Sequence, residues 1–460
     1  MKKFLFLAPA LALLFAVSPL FAGGGGGGRS GSGKTTIKLG VWPIDTEPQQ
    51  IAMHEGFLKE FKQRYPDVNA IPAAYEYAVD TFVPLAESGQ LPTVFTTWFT
   101  EPPKLINGGF VRDITDELKA LGWDTKMNPA VRELLSKNGR IYGFPRDSYA
   151  LGLHLNVDLF RKAGLMEANG VPKYPKTWDE LAQAAVTIKQ KTGSAGLCLL
   201  AKDNAGGWHF VQIAWGFGAN FVVEQGGKRI GQVNSPEVVA AMQYIKDLKW
   251  KYDVLTADPT SEDWGTGFRA IGTGAAAMYI GANDAVAQPT RNNGLPVGDL
   301  ALVPIPAGPK GQFSLMGGTP FVFAPNATTE EVTAGIRYIE IMGSTPEVNE
   351  TTLKGMRAGA QLNKTDGVPV IRGFPVWTDA AYVKAQTDVA NEFKNVDDRF
   401  YADYFNIVAK PGNLRTEEQN AQDLYSELTK VLQAVITDRN ANVQTLLDTA
   451  QRNFQRLLDQ

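Results

Sequence analysis

From Thr35 onward the chain alternates between two kinds of segment, and this alternation limits the possible folds more than any single motif. Short stretches rich in β-branched and aromatic residues, such as "TTIKLGVW" at 35–42 and "TVFTTWF" at 93–99, read as strands. "AAYEYAV" at 73–79 is a further strand candidate. Between them lie segments with apolar residues at helical spacing. Glu47–Tyr65 sets Ile51, Leu58, Phe61 and Tyr65 on one face, and Pro66 stops it. Strand–helix alternation over 460 residues predicts an α/β sheet architecture with two or three domains.

Several helix starts are written into the later sequence. Thr177 with Glu180, Thr328 with Glu331 and Thr416 with Gln419 each match the capping box, in which hydroxyl and carboxyl or amide satisfy orphan N–H groups reciprocally. Ser235-Pro236 is an N-cap and first-turn pair ahead of Val239, Met242, Ile245 and Leu248. The last segment, Thr416–Leu458, is helical in pattern and broken near "TDRNAN". These signals specify packing, not chemistry.

The N-terminus carries a misleading motif. Gly28 to Thr35 satisfies G-x-x-x-x-G-K-[ST], the pattern of a phosphate-cradling loop. Such a loop needs a strand before it and a helix after it. Here a glycine run precedes it and a strand follows, so a flexible tether over 23–35 is the better reading. Residues 1–22 combine two lysines, a short apolar run broken by Pro9 and Pro19, and a small residue at Ala22. That is the form of a secretory signal peptide rather than a membrane span.

Composition narrows the chemistry further. A formal net charge of −3 supplies no field for nucleic acid or an anionic membrane. The single cysteine, Cys198 in "AGLCLLA", reads as a buried inert thiol and rules out a disulfide framework. Only three histidines exist, far apart, which leaves little for a metal cluster or a Ser–His–Asp triad. Glu101, Asp147, Asp284 and Glu262 are the carboxylates to weigh for glycoside hydrolysis, but no spacing singles out a pair. No catalytic residue, cofactor or metal ligand is expected.

The tryptophans are more informative. Trp42, Trp98, Trp208, Trp264 and Trp377 sit in loop-like contexts with Asp45, Glu101, His209, Asp263 and Asp379 close by. An indole plate beside a hydrogen-bonding group suits a sugar, whose C–H face stacks while its hydroxyls are read by polar atoms. For any one of them, core packing competes with ligand contact. Trp215 and Trp250, inside helical stretches, read as packing residues.

A longer pattern then resembles the extracellular solute-binding proteins, family 1, which serve ABC transporters. Gly139, Tyr142-Gly143 and Pro145 match its turn, Asn156 and Asp158 its strand end, Lys162–Leu165 its "K-A-G-L", and Pro175 with Thr177–Leu181 its "P-x-T-W-D-E-L". "FRAIGTGAAAMYIG", the Gly317-Gly318 region and the terminal helices match in order, so the similarity covers essentially all of the mature chain.

The resemblance implies an α/β, two-lobed periplasmic-binding-protein fold of type II with hinge crossovers. One lobe would take 36–145 plus 298–343 and the other 146–297 plus 344–460. Crossovers fall near Phe144–Leu151, Asp299–Pro306 and Gly343–Pro346, and such lobes close on ligand by hinge motion. The implied ligand is a carbohydrate, and the implied partner is the permease of an ABC importer. The same fold binding a peptide, a polyamine or a phosphorylated polyol is the alternative. A glycoside hydrolase is the remote one. A monomer in the periplasm is expected.

Carried over residue by residue, the family's sugar binders, such as the maltose-binding protein, imply contacts from Trp42, Asp45, Trp98, Glu101, Arg146, Asp147, Trp208, His209, Gly318 and Thr319. Trp264 and Trp377 join them from the aromatic argument. Trp98 and Trp208 are expected to face each other across the cleft. Two departures stand out. Sugar binders carry an aromatic where this chain has Asn283, so Asn283 and Asp284 are expected to form a polar subsite instead. Gly23 occupies the place of the lipid-modified cysteine of anchored members.

Overall fold

The computed structural model describes residues 34–459 apart from 46, 47, 409, 411 and 419. The leader at 1–22 and nearly all of the tether lie outside the described residues. Thr35, the last residue of the phosphate-loop pattern, opens a strand, so the strand follows the glycine run.

Nine strands pair continuously. They are β1 (Thr35–Trp42), β2 (Val68–Ala74), β3 (Val94–Thr96), β4 (Gly143–Asn156), β5 (Ala195–Cys198), β6 (Ala276–Ala282), β7 (Leu300–Val303), β8 (Ser314–Phe323) and β9 (Leu414–Thr416). The order is β2-β1-β3-β8-β4-β6-β5, with β7 beside β4 and β9 beside β8. β1 runs parallel to β2 and β3, and β5 to β6, whereas β4 is antiparallel to β6, β7 and β8.

The organising element is β4. Its first part, 143–150, pairs with β8, and its second, 151–155, pairs with β6. A single strand therefore passes from one sheet region to the other. Around each region a separate core has formed. The first packs Ile37, Phe61, Phe144, Phe321 and Tyr338; the second packs Leu153, Trp215, Ile245, Leu432 and Phe454. β6 is buried at every position, as a strand covered on both faces must be.

The C-terminal segments are divided between the two cores. Val376, Trp377 and Tyr382 belong to the first core, and Met356 packs against it. Lys354 pairs with Glu60, and Arg64 donates to Thr351, tying helix Glu350–Thr365 to helix Pro48–Arg64. Helix Glu350–Thr365, Val376, Trp377 and Tyr382 thus pack with the first core, while Ile371 and Phe374, between them in the chain, pack against the second.

The capping signals fare unevenly. Thr328 and Glu331 form the reciprocal box. Thr177 accepts from the Glu180 N–H, while the Glu180 carboxylate turns to the Lys176 N–H. Thr416 instead ends β9, and the helix begins at Ala421. The break near "TDRNAN" separates helices Ala421–Thr437 and Val443–Leu458. Cys198 is buried, as its apolar setting implies.

Candidate ligand-binding cleft

The ends of the strands of the first core open onto a cleft of 790 Å³. Its wall changes hands along β4: Trp42 and Trp98 come from the first side, Arg146 and Asp147 from β4 itself, and Asn283 and Asp284 from the loop after β6. This is the crevice outside the carboxyl ends of strands where open α/β folds hold ligands.

Trp98 is the exposed plate, with 43% of its surface open. It is propped edge-on by Tyr77, with ring centroids 5.1 Å apart. The Tyr77 hydroxyl donates to Glu101 Oε2 at 2.7 Å, and Thr100 donates to Oε1 at 2.8 Å. Trp42 meets the His54 ring edge-on at 5.6 Å. Burial, with the Arg146 charge, lowers the His54 imidazole to about 4, so it is neutral near pH 7.

The polar wall is unevenly charged. Arg146 Nε donates to Asp147 Oδ2 at 2.6 Å, and its Nη2 lies 3.5 Å from Thr319 Oγ1. Asp147 Oδ1 is buried with no partner among the described residues. Asp284 is exposed at the cleft wall. Desolvation, and then the Asp147 charge, push its carboxyl up to about 7 against the pull of Arg146.

A second aromatic group stands on helix Ala205–Phe217. Trp208 lies between two rings: His209 at 5.0 Å and 28°, and Trp264 at 4.5 Å and 33°. Trp264 is the outermost ring, 45% exposed, whereas Trp208 is only 6% exposed. Trp208 Nε1 donates to Glu417 Oε1 at 3.4 Å, and the Tyr425 hydroxyl donates to Oε2 of the same carboxyl. The two sides touch here: Gln422 Nε2 donates to Thr100 Oγ1 at 3.3 Å.

Desolvation raises the Glu417 carboxyl to about 7; the Tyr425 and Trp208 hydrogen bonds oppose it, and the Glu418 and Glu101 charges add to it. The folded state then holds this proton more tightly than the unfolded chain, whose value is near 4.5. Stability from this group is present at low pH and is lost as pH rises through the interval between the two values. Glu417→Gln is therefore expected to gain stability over the parent at pH 8 but not at pH 4. Urea unfolding at the two pH values checks it; equal shifts at both would contradict it.

Comparison with known proteins decides the family. The bacterial extracellular solute-binding protein family matches residues 46–344. The chain belongs to that family. A sn-glycerol-3-phosphate-binding periplasmic protein, UgpB of Agrobacterium fabrum, is 26% identical over 205 residues, 41% of this chain and 45% of that one. The diacetylchitobiose binding protein DasA of Streptomyces coelicolor is 24% identical over 247 residues, 52% of this chain and 54% of its own. The chain thus spans about half the length of these curated relatives.

Among solved structures, a Thermotoga lettingae solute-binding protein bound with α-D-tagatose superposes with a TM-score of 0.71 at 17% identity, over 92% of this chain and 100% of that one. Maltose-bound T. maritima MalE3 gives 0.69 at 20% identity, over 92% and 99%. These likenesses establish the two-lobed α/β fold that the family resemblance implies.

Within this family member, seven expected site residues line the one cleft: Trp42, Trp98, Arg146, Asp147, Asn283, Asp284 and Thr319. The others are placed elsewhere. Asp45 is exposed in the turn after β1. Glu101 is 1% exposed and supports Tyr77. Gly318 is buried in β8, where a Cβ would stand 2.5 Å from the Asp147 carbonyl oxygen. His209 faces Tyr279 at 5.3 Å in the core, with both ring nitrogens unpartnered among the described residues, and burial lowers it to about 3.

Trp208 and Trp264 form the separate stack, so Trp208 does not present a bare face to Trp98. Trp377 is fully buried 5.8 Å from Trp123. Sequence reasoning missed Tyr77, Arg291 and Arg372, which also line the cleft. The two arginines come from segments with no pattern of their own.

Proposed function

We propose that this protein captures a mono- or oligosaccharide in the cleft and delivers it to the permease of an ABC importer, acting as a periplasmic monomer without turnover. The observation that carries the reading is Trp98: a large indole left 43% exposed in a cleft also lined by Arg146, Asp147, Asn283 and Asp284. Exposed aromatic surface of that kind is stabilised by a ligand with an apolar face. The tagatose and maltose named for its structural neighbours, and the diacetylchitobiose of DasA, support a sugar.

A second reading has one specific observation behind it. Arg146, Arg291 and Arg372 all line the cleft, a set of cations that suits a phosphorylated polyol. Two are already engaged: Arg146 by Asp147 at 2.6 Å, and Arg291 by Asp366 at 3.7 Å. Only Arg372, over the Phe405 ring at 4.5 Å, lacks a carboxylate partner among the described residues.

Thermal denaturation against tagatose, maltose, diacetylchitobiose and sn-glycerol 3-phosphate separates the readings, because a ligand bound to the folded form alone raises the melting temperature. A rise with a neutral sugar is expected. A rise with the phosphate alone would transfer the assignment to the second reading, and no rise with any would overturn both.

A further inference from the structure

The ladder between β4 and β6 ends with Ala282 opposite Leu151. The next residue of β4 is Ala150, which on its other side is already paired with Met316 of β8. Ala150 is therefore the point at which the strand leaves one sheet region for the other. Its backbone groups still need partners, since an orphaned buried N–H or C=O is costly.

Side chains supply them. The Ala150 N–H donates to Asn283 Oδ1 at 3.1 Å, and the Ala150 carbonyl accepts from the Tyr404 hydroxyl at 2.6 Å. The same hydroxyl proton is shared with Asn283 Oδ1, which accepts it at 2.9 Å. All three groups are buried: Asn283 is 7% exposed, and Ala150 and Tyr404 are fully enclosed. Tyr404 is braced by Phe405 at 5.0 Å and Phe374 at 5.9 Å, both edge-on.

The arrangement also fixes which way the Asn283 amide points. A backbone N–H can only donate, so the atom facing it must be the oxygen. The nitrogen is left without a protein partner among the described residues, on a side chain that lines the cleft. We infer that Tyr404 is a positioning residue: it clasps Asn283 to Ala150 at the crossing of β4, so that Asn283 offers its amide N–H to the ligand and ties that contact to the crossing strand. The inference rests on the cleft being the ligand site. It assigns specificity for a ligand with a hydrogen-bond acceptor at this point.

The test uses the full chain with two readouts: hydrogen exchange of the Ala150 amide without ligand, and calorimetric titration with maltose. Asn283→Ala should speed Ala150 exchange about tenfold and weaken maltose binding about tenfold, the usual effect of losing one buried hydrogen bond. Asn283→Asp keeps acceptors for Ala150 and Tyr404 but removes the donor. It should retain Ala150 protection while losing affinity, which a merely structural role for residue 283 would not produce.

Tyr404→Phe preserves the ring packing. It should weaken maltose binding about tenfold, with no further loss when combined with Asn283→Ala. Wild-type affinity in Tyr404→Phe, or losses that multiply fully in the double variant, would overturn the inference. If the parent protein binds no maltose, the failure lies in the choice of sugar, and the titration is repeated with the neutral sugar that raises the melting temperature most. Ala150 exchange then decides the clasp alone: accelerated in Asn283→Ala supports it, unchanged refutes it.

Discussion

Trp377→Ala is expected to destabilise the folded protein by about 3–5 kcal/mol and to leave ligand affinity intact. The indole has no exposed surface and packs among Trp123 at 5.8 Å and Phe144 at 6.3 Å. Removing it opens a large cavity in a core where three aromatic rings share contacts, and neighbours held by β4 and β8 have little room to collapse into it. Its Nε1 is buried without a partner among the described residues. Trp377→Phe should accordingly cost much less, because it keeps a ring and deletes the unsatisfied donor. Chemical denaturation of the variants measures the ordering. A ligand-binding defect in Trp377→Ala without loss of stability would return this residue to the site.

Trp98→Ala should do the reverse: weaken binding of the preferred sugar tenfold or more, with little change in stability. The ring is nearly half exposed, so its removal leaves no cavity in the core. What is lost is a stacking surface, about 0.5–1.5 kcal/mol beyond simple burial, plus the apolar area the sugar would have covered. A sum near 1.4 kcal/mol is a factor of ten in affinity. Titration calorimetry on parent and variant measures it. Unchanged affinity would remove Trp98 from the contact surface.

These two tryptophans show what the sequence could and could not convey. Both sit beside a proline and polar residues, in "TTWFTEPP" and "GFPVWTDA", and both read as loop aromatics. The difference lies in distant partners. Trp123 and Phe144 cover Trp377, while Tyr77 supports Trp98 from one edge only. No local pattern records which loop a remote segment will bury.

Trp208 was misread for a related reason. "AGGWHF" resembles a loop because of its glycines, yet Gly206 and Gly207 belong to a helix. A Cβ at Gly207 would stand 2.2 Å from the Tyr425 carbonyl oxygen, so the glycine lets helix Ala205–Phe217 approach helix Ala421–Thr437 closely. The residue types that mark turns also mark close packing. Thr416 failed differently: its capping box is correct in letters, but β9 claims the residue through pairing with Met316.

The readings that held depend on local chemistry. Strand–helix alternation required an α/β sheet, and Thr328 and Ser235 cap their helices through contacts three residues away. Seven of the residues expected to touch ligand line one cleft, because strand ends in such a sheet converge there. Tyr404 was not legible: it lies 121 residues from Asn283 and meets it only through the crossing of β4.

We propose that the sugar sits between Trp98 and Asn283. Crystals grown with the sugar that raises the melting temperature most test it directly. Density for that sugar is expected stacked on Trp98, with an oxygen within hydrogen-bonding reach of Asn283 Nδ2. Density instead in the separate hollow bordered by Asp124, Arg132 and Lys137, with the cleft holding solvent alone, would contradict it.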